Sequence, residues 1–191
     1  MNTFEMFTKL GFQHITDIQG YDHIIFLFAL CGIYTFRDWK KILAVVTIFT
    51  VAHSLSLALA AFDVVKPKGE YIEFLIPVTI LLTALFNLTK MGLNKRGNAK
   101  VIISGLFGLV HGFGFSGFYR MIMLDTKPWY ESYLPFNLGI EIGQIAIVLV
   151  ILLISAIFQQ IFKVTLKSWN IFIAGGVSFI SITLIIKNWP F

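Results

Sequence analysis

Of the 191 residues, 57% are hydrophobic and 13% charged. A soluble domain carries about a quarter of its residues charged, so this composition excludes one and points to a bilayer protein. A lone cysteine, Cys31, excludes an intrachain disulfide and any cysteine-rich metal site. The net charge of +5 does not signal a nucleic-acid partner, because the basic residues sit in short loops between apolar runs, where membrane topology accounts for them.

The N-terminal MNTFEMFTKLGFQ has no basic stretch followed by an apolar core, so no cleavable signal peptide is expected. Phe4, Phe7 and Leu10 recur at helical spacing and predict a short amphipathic helix lying at the interface. Six spans follow. The first, a short one, is predicted over 21–36, the second over 42–62, and the third over 71–88 with Pro77 as a kink. The fourth is predicted over 101–123, the fifth over 134–162 and the sixth over 169–186. The fold class is therefore all-α: a polytopic bundle of about six transmembrane helices with a short interfacial helix, forming one transmembrane domain over 1–191. Trp129, Tyr130, Tyr133 and Trp189 read as interfacial anchors.

The loops orient the bundle. Residues 37–41, 90–100 and 163–167 hold nine of the 15 basic residues but only one of the ten acids, Asp38. Such loops are retained in the cytoplasm, which puts both termini outside.

That orientation assigns a depth to every polar intramembrane residue. Asp22 and His23 begin the first span at its outer end, preceded by His14 and Asp17. His53 and His111 are each about 16 Å from the cytoplasmic edge, near the midplane. Asn137, Glu141 and Gln144 fall on one face of the outer half of the fifth span. All four histidines thus converge with Asp22 and Glu141 between midplane and outer surface. Ionisable groups there are costly and mark function by default. Ser54 and Ser56 are expected to bond backbone or a neighbouring helix rather than act as nucleophiles. The G-x-G-x-x-G of HGFGFSG lies in a span with no strand before it, so it is not a dinucleotide loop. Ser104, Gly108 and Gly112 form a small-residue face for close packing, and the glycines after His111 could loosen the helix so that its carbonyls face the site.

Imidazoles with carboxylates suit zinc, nickel and similar divalent ions. Such a site can pass an ion across the membrane. Alternatively it can hold an ion that activates water for hydrolysis of a lipid or peptide at the outer leaflet, with Glu141 or Asp22 as general base. A structural protein with a bound metal and no turnover is a third reading. Few polar residues appear in the inner half to form an exit: Thr47, Thr50, Thr79, Thr83 and Ser104.

The segments GYDHIIFLFAL, FTVAHSLSLALA, GLVHGFGFSG and FNLGIEIGQ resemble, in order, the four signature segments of the HupE/UreJ family of bacterial membrane proteins. The resemblance implies six or seven helices in the cytoplasmic (inner) membrane and nickel or cobalt uptake. It implies metal-binding positions at His14, Asp22, His23, His53, His111 and Glu141. Nickel permeases of this kind show H-x5-D-H. Here seven residues, ITDIQGY, separate His14 from Asp22, which places the chain closer to the family's second branch and makes Asp17 an additional candidate ligand. Ser54, Asn137 and Gln144 are expected in support of the ligands. The expected partners are a divalent metal (Ni, Zn or Co), the lipid bilayer and, as a candidate, a second copy of the chain.

Overall fold

The computed structural model describes residues 2–95, 97–123 and 128–190. Among these it contains seven α-helices and no strand: α1 (Thr3–Thr16), α2 (Asp22–Cys31), α3 (Trp39–Ala61), α4 (Gly69–Phe86), α5 (Ala99–Met123), α6 (Tyr130–Gln160) and α7 (Leu166–Lys187), with a 3-10 turn at Phe36–Asp38. Five helices are long and apolar enough to cross a membrane. Their bounds fall within four residues of the last five predicted spans. Val51, Ile102, Leu106, Phe172 and Phe179 are each more than half exposed on the bundle's exterior. Exposed apolar surface on that scale is the mark of lipid contact.

The first predicted span needs correction. Its helix is only ten residues, Asp22–Cys31, about 15 Å at 1.5 Å per residue and too short to cross alone. The N-terminal helix, expected to lie flat, instead stands alongside the first half of α6. A Cβ on Gly11 would strike the Phe136 carbonyl, and one on Gly139 would strike the Thr8 carbonyl. Both glycines are therefore what lets the two backbones touch. α1 and α2, linked by residues 17–21, follow one another as a helix broken between Thr16 and Asp22. α1 starts with a capping box in which Asn2 Oδ1 accepts from the Glu5 amide at 2.8 Å.

Contacts set the directions of the rest. Gly108 and Gly112 of α5 meet Phe49 and His53 of α3, so these two run parallel. A Cβ at Gly108 would come within 2.7 Å of the Phe49 carbonyl. Ser104 Oγ donates to the Val45 carbonyl at 2.6 Å along the same seam, which is the expected small-residue face. α5 stays helical through the glycines after His111, so they do not loosen it. α4 runs antiparallel to α7: Asn170 Nδ2 donates to the Asn87 carbonyl at one end and Asn188 Nδ2 to the Glu73 carbonyl at the other. Pro77 has no N–H for the Glu73 carbonyl, and Asn188 fills that vacancy.

The start of α1, the end of α7 and residues 62–68 consequently lie at one end of the bundle, the terminal face. Residues 37–41, 90–95 and 163–167 lie at the other, the basic face. Two apolar clusters fill the interior. Phe26, Leu30, Val45, Phe49, Ile80 and Ile151 pack toward the basic face. Phe7, Ile15, Leu57, Tyr119, Phe136 and Ile140 pack toward the terminal face.

Candidate metal centre

The four histidines occupy the layer between these two clusters. His14 comes from the last turn of α1, His23 from the first turn of α2, and His53 and His111 from the middles of α3 and α5. His23 is central: its ring centroid is 4.9 Å from that of His14, 6.0 Å from His53 and 5.2 Å from His111. The break between α1 and α2 makes this convergence possible. It ends one helix at His14 and begins the next at Asp22, so Asp22 and His23 both reach the layer although they are sequence neighbours.

Two sets of ligand atoms result, each with its members within 4.8 Å of one another: His14, His23 and His53, and Asp22, His23 and His111. A metal–nitrogen bond is about 2.0–2.1 Å, so modest side-chain closure brings either set onto one ion.

Hydrogen bonds decide which nitrogens are available. Thr79 Oγ1 donates to the Ile76 carbonyl at 2.7 Å, so toward His111 Nε2, at 3.2 Å, it can only accept. His111 therefore carries its proton on Nε2 and leaves Nδ1 as a bare lone pair. His23 Nδ1 faces Asp22 Oδ1 at 3.3 Å, a carboxylate–imidazole pairing that directs the proton to Nδ1 and frees Nε2. Five buried imidazole nitrogens have no hydrogen-bond partner among the described residues: Nε2 of His14 and His23, both nitrogens of His53, and Nδ1 of His111. Buried polar atoms are nearly always satisfied. One His53 nitrogen carries that ring's proton, which leaves at most four lone pairs in the layer, one on each histidine, and these fit a site whose missing partner is a cation.

Aromatic rings bound the layer on both sides. Phe26 and Phe49 lie against His111 with centroids 4.9 and 5.4 Å away, toward the basic face. The Phe115 ring lies against His14 with centroids 3.6 Å apart, tilted by 34°, toward the terminal face. Beyond Phe115, a cavity of about 800 Å³ is lined by Leu10, Gln13, His14, Asp17, Gln19 and Phe115. A second, of about 440 Å³, reaches Asp22 past Gln19, Glu73 and Asn188. The 17–21 link separates the two. Asp17 lies on it, its Oδ1 accepting from the Gln19 amide at 2.9 Å.

The remaining predicted residues form a separate network. Glu141, expected above the histidines, lies instead one to two turns toward the basic face from His53. Its carboxylate accepts from Thr47 Oγ1 at 2.7 Å and from Thr50 Oγ1, and it belongs to neither ligand set. Gln144 meets the same Thr50 hydroxyl at 2.7 Å, and Ser54 bonds Asn137 and the Thr50 carbonyl. The α6 face is the predicted one, but it is turned against α3.

Thr79 and Thr83, expected among the few polar residues of the inner half, are joined by Asn87, which went unassigned in the sequence. Thr79, Thr83 and Asn87 recur every four residues along α4 and form a buried column from His111 toward the basic face. Asn87 Oδ1 receives the Lys100 ammonium, so a lysine counted among the loop charges is inside the bundle. The four-residue spacing was the available signal.

No curated protein and no solved structure matches the chain. A family model described as HupE / UreJ protein matches residues 1–190, and that family is related to nickel and cobalt transport. With the match spanning the whole bundle, from α1 to the end of α7, the chain belongs to the HupE/UreJ family.

Proposed function

We propose that the chain is a permease for a divalent transition metal of the nickel/cobalt type, acting in the bacterial cytoplasmic membrane with both termini outside. The observation that carries this reading is the layer of unpartnered imidazole nitrogens, bounded by aromatic rings and with polar residues beyond them toward each face. The cavities beside His14 and Asp22 give a hydrated ion a way in from the terminal face. The Thr79–Thr83–Asn87 column gives it polar contacts toward the basic face. His23 belongs to both ligand sets, so an ion held by His14, His23 and His53 passes to Asp22, His23 and His111 by exchanging partners around one imidazole. Glu141 is engaged by two threonines and does not face the imidazoles, which counts against it as a base on metal-bound water.

The test uses the purified chain and His23→Ala. Wild type should bind nickel, measured by mass spectrometry, and carry it into liposomes loaded with a metal-responsive dye. His23→Ala should lose both while still inserting. Full nickel occupancy in His23→Ala would refute the site. Binding by wild type without any flux would refute transport and favour a metal-dependent hydrolase.

A further inference from the structure

We propose that Lys100 is the inner gate of this conduit, a seated cation that closes the column on the basic side; the inference rests on the transport reading above. Lys100 is the second residue of α5, close to the basic face, where a lysine ordinarily extends its ammonium to water. Here the side chain turns inward and the residue is 2% exposed. Its ammonium donates to Asn87 Oδ1 and, at 3.3 Å, to the Leu30 carbonyl at the end of α2, and lies 5.5 Å from the centre of the Tyr34 ring. Among the described residues no carboxylate pairs with it. Asp38, the acid of the basic face, is taken by Lys95 at 2.8 Å.

A buried cation without a counter-ion is costly inside a membrane protein. Its location gives the cost a purpose. Lys100 stands at the foot of the Thr79–Thr83–Asn87 column, eleven residues or about 16 Å along α5 from His111. The more direct route from the histidines is filled by Phe26 and Phe49. A dication descending the column meets a like charge in low-dielectric surroundings, where repulsion is strong. While the ammonium sits on Asn87 and Leu30, the column is shut to cations. The first turn of α5 is near enough to the basic face for the side chain to swing out to water and open it. Asn87 also donates to the Ala29 carbonyl, so the same movement loosens the end of α2.

The experiment compares wild type with Lys100→Gln and Lys100→Arg, using nickel entering dye-loaded liposomes. The Gln variant should raise the initial flux at least about tenfold, with Arg near wild type, since Gln removes the charge and Arg keeps it. Nickel bound per chain should be the same in all three. Cys31 supplies a readout independent of metal: it is fully buried and within electrostatic reach of Lys100. In nanodiscs, a charged thiol reagent should modify it at least about tenfold faster in the Gln variant. If Gln does not insert, Lys100→Met replaces it. Wild-type flux with wild-type Cys31 protection in the neutral variant overturns the gate. So does an Arg variant that behaves like Gln, because the role is then packing. Flux lost only in the neutral variant also overturns the gate while leaving transport standing. No flux in wild type or variant, with nickel still bound, sinks transport and gate together.

Discussion

Gly112→Ala tests whether the α3–α5 seam sets the metal centre. A Cβ at Gly112 would land on the His53 carbonyl and Ser56 Oγ, both far inside van der Waals contact. Ordinary carbon contacts need about 3.5 Å, so α3 and α5 must separate by roughly an ångström at the level of His53. Overpacking of this kind costs about 1–3 kcal/mol, offset by about 0.5–1 kcal/mol from replacing a helical glycine. The net loss of about 1–2 kcal/mol lowers Tm by roughly 2–8 °C for a chain of this length. Metal ligation tolerates only about 0.2 Å, so nickel affinity should fall by more than the stability loss alone suggests. Gly117→Ala is the control, since nothing lies within 4 Å of its Cβ position; it should keep wild-type nickel content and an equal or higher Tm. The assay is thermal unfolding in detergent with nickel content by mass spectrometry. An unchanged Tm and full nickel content in Gly112→Ala would refute the claim that this glycine holds His53 in place.

Thr79→Val removes the acceptor for His111 Nε2–H at near-constant shape and should weaken nickel binding by about 10–100-fold in a chelator competition; unchanged affinity would sink the tautomer assignment. Cysteines at Lys66 and Asn94, in a Cys31→Ser background, should be labelled by an impermeant reagent in intact cells only at 66; labelling at 94 would invert the orientation. An impermeant chelator outside should strip nickel faster than one trapped within, because the cavities open on the terminal face; faster stripping from within would refute that route. Burial alone would raise the Asp38 pKa, but the Lys95 ammonium and the Thr35 hydrogen bonds outweigh it and hold the carboxyl below its ordinary value. A depressed folded pKa stabilises above the unfolded value of about 3.9 and is lost as pH falls through the folded value. Wild type should therefore exceed Asp38→Asn in Tm at pH 7 and 5, with the gap shrinking only as the pH falls below the unfolded value; a gap independent of pH would mean the charge contributes nothing.

Sequence alone was enough for the features that depend on local chemistry. Apolar run lengths located α3 to α7, because burying backbone in hydrocarbon requires each segment to satisfy its own hydrogen bonds as a helix. The spacing of Asn137, Glu141 and Gln144 put them on one face, and Ser104, Gly108 and Gly112 announced a close seam. Tertiary structure decided how these faces are turned and which segments meet. In a bilayer an apolar helix has little amphipathic contrast to fix its rotation, so neighbours set it through small-residue contacts between segments distant in sequence. Gly11 and Gly139 bring α1 against α6, a pairing that Phe4, Phe7 and Leu10 could not reveal. That pairing, with the break before Asp22, carries His14 and His23 to His53 and His111, while α6 turns Glu141 to Thr47 and Thr50. Lys100 reads as a loop charge by its position in the chain, and only the packing of α2, α4 and α5 around its side chain places its ammonium inside.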